Sequence, residues 1–320
     1  MKLLFILDPL ASLKSYKDTS LAIMREAAVR GHTLYVCEQH DVFLRNEIVK
    51  TNATEFSFSE DNQNKNSSWY LLGKNQEVLP KNFDAILMRK DPPFDNEYLY
   101  STYLLELAAY QGARVINNPA AVRSWNEKLS VAKFPQFAPE FLVTANNDLI
   151  REFLATYKDI VIKPLDGMGG SGIFRIHDAD HNIGVILETA TQYGTQTIMA
   201  QRYLPAILQG DKRIIVINGE PLAYALARIP KAGETRGNLA AGGTGVAQLL
   251  TARDLEIATI VGKTLKAEGL FLVGLDVIGE YLTEINVTSP TGMVEIAAQT
   301  QHLDSPCKAS QIFVEVLEKI

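Results

Sequence analysis

The stretch Val161-Ile162-Lys163-Pro164-Leu165-Asp166-Gly167-Met168-Gly169-Gly170-Ser171-Gly172-Ile173-Phe174-Arg175-Ile176 decides the fold. It reads as a short apolar strand, a loop with four glycines, and a second strand starting at once. A Walker loop or a dinucleotide-binding turn opens a helix after its glycines, so neither describes this segment. Lys163 stands at the strand end before the loop. There it can reach phosphate oxygens while the loop backbone closes over them, although an ordinary flexible hairpin would have the same pattern.

A second segment gives that loop its meaning. Leu275-Asp276-Val277-Ile278 and Leu282-Thr283-Glu284-Ile285-Asn286 set acidic and amide side chains into apolar strands. Glu284 and Asn286 are two apart and share a face. If Gly279-Glu280-Tyr281 forms the turn of a hairpin, Asp276 lies across from Glu284. Facing carboxylates repel unless a cation lies between them. Three oxygen donors on one sheet face suit magnesium, with phosphates and water completing its shell. The competing reading is a solvated strand face.

Outward from these two motifs, the first third reads as β/α repeats. Leu3 to Leu7 and Thr33 to Val36 are strands around a helix capped near Asp18-Thr19-Ser20 and stopped by Gly31. Ala85 to Met88 and Val115 to Asn117 are further strands, with a helix over 98–111 between them. The Asn-rich stretch from Asn62 to Ser68 is expected to be an exposed turn. Asp8 and Arg89 fall at strand ends, where open parallel sheets bind ligands. Beyond residue 124 the sequence predicts a helix around Asn126 to Lys133. Strands follow near Ile198 to Gln201, Arg213 to Ile217 and Leu222 to Ala227, then a flexible stretch from Gly233 to Gly245 and a helix over 254–268. Arg89, Lys128 and Arg236 lie beside turns. Arg213 and Arg228 sit inside apolar strands, and a charge there calls for a buried anion.

Composition narrows the function. The chain of 320 residues is 47% hydrophobic and 21% charged, with a net charge of -6, which argues against a nucleic-acid surface. Two cysteines, Cys37 and Cys307, lie far apart, suiting a reducing compartment and no disulfide framework. The apolar run at the start ends at Asp8-Pro9, shorter than the roughly 7–15 residues of a signal peptide core and the about 20 of a membrane span. A cytoplasmic protein with no membrane partner is expected.

The strings MRKDPPFD (88–95), NEKL (126–129), IKPLDGMGGSGIFR (162–175), GDKRI (210–214), ARIPKAGETRGNLAAGG (227–243) and VGLDVIGEYLTEINVTSPTG (273–292) closely resemble bacterial glutathione synthetase, of the ATP-grasp superfamily. The resemblance spans nearly the whole chain. It implies an α/β fold, α+β toward the C-terminus: an open parallel β/α domain over 1–123, then a two-lobed ATP-grasp part over 124–200 and 201–320. It implies ligation of γ-glutamylcysteine to glycine through an acyl phosphate, with two magnesium ions (manganese as an alternative) and ATP as co-substrate. Lys128, Lys163, Gly169, Gly170, Gln201, Tyr203, Leu204 and Asp211 are then expected at ATP. Arg89, Arg213, Arg228, Thr288 and Ser289 are expected at the peptide substrate, with Arg213, Arg228 and the lid residue Arg236 serving catalysis. Asp276, Glu284 and Asn286 are the implied metal ligands, and a homo-oligomer, a tetramer, is implied. Another carboxylate-amine ligase of this superfamily, or a non-catalytic ATP sensor, would share the ATP half. Two departures stand out. The family continues Gly242-Gly243 with Arg-Gly-Glu, whereas here Thr244-Gly245-Val246 follow. Gly292-Met293-Val294 also lacks the arginine expected before Glu295.

Overall fold

In a computed structural model of the chain, all residues are described except 60–68, 235, 238, 240 and 241. The turn expected at Asn62 to Ser68 lies outside the described residues, as do Thr235, Asn238, Ala240 and Ala241 of the expected lid.

The N-terminal part alternates buried apolar strands with helices. Its elements are β1 (Lys2–Leu7), α1 (Thr19–Val29), β2 (Thr33–Glu38), β3 (Val42–Arg45), β4 (Ile48–Phe58), β5 (Tyr70–Val78), β6 (Ala85–Met88), α2 (Asn96–Tyr110), β7 (Val115–Ile116) and α3 (Pro119–Ser124). Asp18 caps α1 by accepting from the Leu21 N–H at 2.8 Å. Strands β2, β1, β6 and β7 are parallel, as expected. The sheet as a whole is mixed, because β3, β4 and β5 add antiparallel pairs on the β2 side.

Next come β8 (Phe141–Thr144), α4 (Asn147–Tyr157), β9 (Asp159–Pro164), β10 (Phe174–His177), α5 (Ile183–Ala190) and β11 (Ile198–Arg202), forming a four-stranded sheet in the order β10-β9-β11-β8. Ile160 and Ile162 of β9 pack with Leu154 of α4 and Leu187 of α5. Alternation then sends Val161 and Lys163 to the opposite face. The helix expected around Asn126 to Lys133 is shorter: a 3-10 turn over Leu129–Lys133. The Asn126 Oδ1 accepts from the N–H groups of Lys128 and Leu129, holding the preceding residues in a capping turn.

The last sheet runs β14-β13-β12-β15-β16. Its strands are β12 (Asp211–Ile217), β13 (Glu220–Ile229), β14 (Thr244–Leu249), β15 (Leu272–Ile278) and β16 (Tyr281–Asn286), accompanied by α6 (Ala252–Ala267), α7 (Met293–Thr300) and α8 (Ala309–Leu317). Ile214, Val216, Val273 and Leu275 share an apolar cluster with Ile257, Val261 and Leu265 of α6. Ile215, Ile217 and Leu272 belong to the cluster holding Met293 of α7 and Phe313 of α8. The remaining end of that second face carries the charges of the site. No helix among the described residues is long and apolar enough to cross a membrane.

Candidate active site

Strand register assembles the charged face. Arg213 pairs with Asp276 across β12 and β15, Asp276 with Glu284 across β15 and β16, and Asp211 with Arg228 across β12 and β13. The Asp276–Glu284 pairing is the expected one, but it arises differently. The turn is two residues, Gly279 and Glu280, and a bulge at Thr283 shifts the register by one.

Asp276 is 2% exposed, and its cation partners are guanidiniums. Arg213 donates to both of its oxygens, Nε to Oδ1 at 2.5 Å and Nη2 to Oδ2 at 3.0 Å, and Arg228 Nη2 lies 2.8 Å from Oδ2. Burial alone would push this carboxyl up. The two guanidiniums outweigh burial and hold it well below the usual carboxylate range. The buried anion that Arg213 and Arg228 called for is thus Asp276, joined by Asp211, whose Oδ2 accepts from Arg228 Nη2 at 2.5 Å. Burial pushes Asp211 up to about 6, and its Oδ1 has no hydrogen-bond partner among the described residues.

A cavity of about 270 Å³ opens over this face, walled on its other side by the four-stranded sheet and the glycine loop. Lys128, Lys163, Gly169, Gly170, Gln201, Tyr203, Leu204, Asp211, Arg213, Arg228, Arg236, Glu284, Asn286, Thr288 and Ser289 all line it. Lys163 Nζ donates to Gln201 Oε1 at 3.0 Å and lies 4.0 Å from Glu284. Burial pulls the Lys163 ammonium below its ordinary value, offset in part by Glu284. Lys128 donates to the Gly167 carbonyl at 2.8 Å and lies 3.8 Å from Glu284. From the lid, Arg236 Nη1 donates to the Gly170 carbonyl at 3.3 Å, so lid and glycine loop touch.

Two expected site residues lie outside the lining of the cavity. Asp276 is covered by its guanidiniums. Arg89 is 6% exposed and sits behind the 288–291 turn, donating from Nη2 to the Pro290 carbonyl and from Nε to Ser20 Oγ, each at 3.0 Å. The turn itself is tied to the segment after β6, since Ser289 Oγ donates to Asp91 Oδ1 at 2.5 Å. Beside Thr244-Gly245-Val246, Gln299 of α7 holds β14 through the Ala247 N–H and the Gly245 carbonyl.

Sequence reasoning passed over Glu127, Asp91 and Ile207 as wall residues. Glu127 was legible only as one letter of the NEKL string, because nothing in a turn's local pattern shows what packs over it. Burial, reinforced by Glu284, pushes its carboxyl up to about 7.

The donor set suits a hard divalent cation. Glu284 and Asn286 are oxygen donors on one strand, and Asn286 uses its Nδ2 on the Gly274 carbonyl at 3.3 Å, which leaves Oδ1 as the free end. Among the described residues no group of three or more His, Cys, Asp or Glu side chains is gathered for a metal.

A glycine loop between antiparallel strands, facing a sheet of basic and acidic side chains across one cavity, defines a ligase of the ATP-grasp class. Solved structures agree on the fold. The D-cycloserine synthetase DcsG aligns with a TM-score of 0.65 over 99% of each chain at 14% identity. The ATP-grasp ligase PsnB, complexed with minimal precursor, Mg and ADP, aligns at 0.61 over 99% of this chain and 97% of its own, also at 14% identity. Family models for the prokaryotic glutathione synthetase N-terminal domain and ATP-grasp domain match residues 1–123 and 127–301. A glutathione synthetase of Nitrosomonas europaea is 61% identical over 300 residues, 94% of this chain and 93% of the relative. One of Ralstonia nicotianae is 51% identical over 319 residues, 100% of this chain and 96% of the relative. The chain belongs to the prokaryotic glutathione synthetase family.

Proposed function

We propose that this chain joins the cysteine carboxylate of γ-glutamylcysteine to the amine of glycine, consuming ATP and releasing ADP and phosphate. The observation that carries this reading is the convergence of Lys128, Lys163, the glycine loop and the Arg213–Asp276–Arg228 cluster on one cavity. The carboxylate takes the γ-phosphoryl group of ATP, forming an acyl phosphate. The glycine amine then attacks the acyl carbon, the bond to phosphate breaks, and the amine's proton is lost. No side-chain nucleophile is needed, so positioning and electrostatics supply the rate.

Lys128, Lys163, Gly169 and Gly170 hold the phosphates. Gln201, Tyr203 and Leu204 line the place of the base, and Asp211 offers the nucleotide an oxygen that has no donor among the described residues. Arg213 and Arg228, fixed by Asp276, face charge that develops on the transferring phosphoryl group and at the tetrahedral carbon. Thr288 and Ser289 meet the peptide, and Arg89 acts from behind by holding their turn. Arg236 and the lid exclude water, which would otherwise hydrolyse the acyl phosphate. Glu284 and Asn286 would hold magnesium or manganese, with Asp276 adjoining. Such an ion would neutralise phosphate charge.

A homo-oligomer working in the cytoplasm is part of this reading. Exposed Tyr100, Tyr103, Leu107 and Tyr110 follow one another along α2 at helical spacing, which supports a packed partner. Light scattering reads the mass, and a tetramer is expected. The activity is tested by product formation from ATP, γ-glutamylcysteine and glycine, where glutathione must appear in step with ADP.

A further inference from the structure

We infer that Glu127 is a positioning residue for Lys128: its carboxylate, anchored beside β16, fixes the lysine ammonium between the glycine loop and Glu284. The inference rests on the ATP-dependent reading above. Lysine is a flexible side chain that loses rotamer freedom when fixed, so a held ammonium needs partners that hold it. The Lys128 side chain is 3% exposed, and a charge so buried requires a counter-charge. Glu127 Oε1 accepts a short hydrogen bond from Lys128 Nζ, and Gly167 accepts another at 2.8 Å.

The anchor is rigid on both sides. The Glu127 backbone carbonyl accepts from the Ile285 N–H at 2.7 Å, placing it next to Glu284 on β16. Asn126 caps the same turn and donates from Nδ2 to the Leu165 carbonyl at 2.9 Å. The turn 126–128 therefore grips the glycine loop at two carbonyls while bonded to the strand of Glu284 and Asn286. Lys163 is held in another way, by the neutral Gln201. Among the described residues, Glu127 is the carboxylate within hydrogen-bond distance of either of these two lysines. It also competes with Glu284 for Lys128, keeping the ammonium 3.8 Å from the Glu284 oxygen.

The test is a double-mutant cycle read by calorimetric binding of magnesium-ATP, which does not depend on turnover. Glu127→Gln keeps shape and one acceptor but removes the charge. It is expected to weaken ATP roughly tenfold, the scale of a lost charge-assisted hydrogen bond, while the KM values for dipeptide and glycine stay unchanged. Lys128→Met should weaken ATP by at least as much, and the double variant should be no worse than Lys128→Met alone. Glu127→Asp, which keeps the charge one methylene shorter, should fall between wild type and Glu127→Gln and serves if the amide fails to fold. Additive losses overturn the inference, and if the metal requirement also rises in both backgrounds, Glu127 is a metal ligand instead. Tighter ATP binding by Glu127→Gln overturns it too, because the carboxylate would then merely repel phosphate. Wild-type protein that binds ATP without making glutathione refutes the ligase reading and leaves the cycle readable. Failure of wild type to bind ATP overturns both.

Discussion

Asp276 and Glu284 face each other in the register expected of them, yet their surroundings assign them different work. Asp276 is a buried anion between two guanidiniums, so removing its charge takes away the carboxylate that Arg213 holds with two hydrogen bonds and leaves Arg228 with Asp211 alone. Asp276→Asn should cost roughly 3 kcal/mol of stability along with activity, seen as a lowered urea midpoint. Among the described residues, Glu284 makes no ion pair closer than 3.8 Å. Glu284→Gln should leave the urea midpoint unchanged and reduce kcat by about 10²-fold or more, the scale of a lost electrostatic group in a phosphoryl-transfer site. Equal midpoints for both variants would contradict the distinction. The need for an anion beside Arg213 and Arg228 was legible because an arginine inside an apolar strand is costly to bury without a counter-charge. Its identity was not, since cross-strand partners depend on which strands become neighbours. Arg89 shows the same limit. Its position at a strand end is legible in the sequence, but its place behind the Pro290 carbonyl comes from a contact 201 positions away.

At the scale of elements, the glycine loop and the final hairpin were readable because local chemistry dictates them: glycines free the backbone, and alternating strands expose one face. Even so, the hairpin reached the expected pairing through a shorter turn and a bulge, which no residue type announces. Strands β3 to β5 went unread for a physical reason. The buried face of β4 carries Val49, Thr51 and Ala53, so its alternation is faint in hydrophobicity, and β5 is largely exposed at the sheet edge. Two glycines make sharp tests. A Cβ at Gly167 would lie 2.6 Å from Pro164 Cγ, so Gly167→Ala should displace the loop and raise the KM for ATP about tenfold or more. A Cβ at Gly274 would lie 2.8 Å from Arg213 Cδ and 2.9 Å from Pro290 Cβ. Gly274→Ala should therefore shift Arg213 and the 288–291 turn together, raising the dipeptide KM while costing about 1–3 kcal/mol. Steady-state kinetics in which ATP alone responds to Gly167→Ala, and the dipeptide chiefly to Gly274→Ala, would support this division of the cavity.

Across the whole molecule, Asn117 ties the N-terminal sheet to the last one. Its Nδ2 donates to the carbonyls of Leu272 and Val287, and its Oδ1 accepts from the N–H groups of Phe271 and Leu272. Asn117→Ala leaves four buried backbone groups short of a partner and should lower stability by about 3 kcal/mol or more, measured by urea unfolding. Both thiols stand apart from the chemistry. Burial pushes Cys37 up to about 12 and Cys307 up to about 11, so each remains protonated at neutral pH. Iodoacetamide at about pH 8 should leave the native protein unlabelled and active, and should modify both cysteines once urea is added. Rapid native labelling would contradict that environment. An ATP-driven ligation needs every substrate at one cavity. It is tested most directly by ADP release with ATP, magnesium, γ-glutamylcysteine and glycine, omitting each in turn. The expected result is release that requires both the dipeptide and glycine, with glutathione formed in equal amount. ADP release indifferent to glycine, or bound ATP with no turnover, would contradict it.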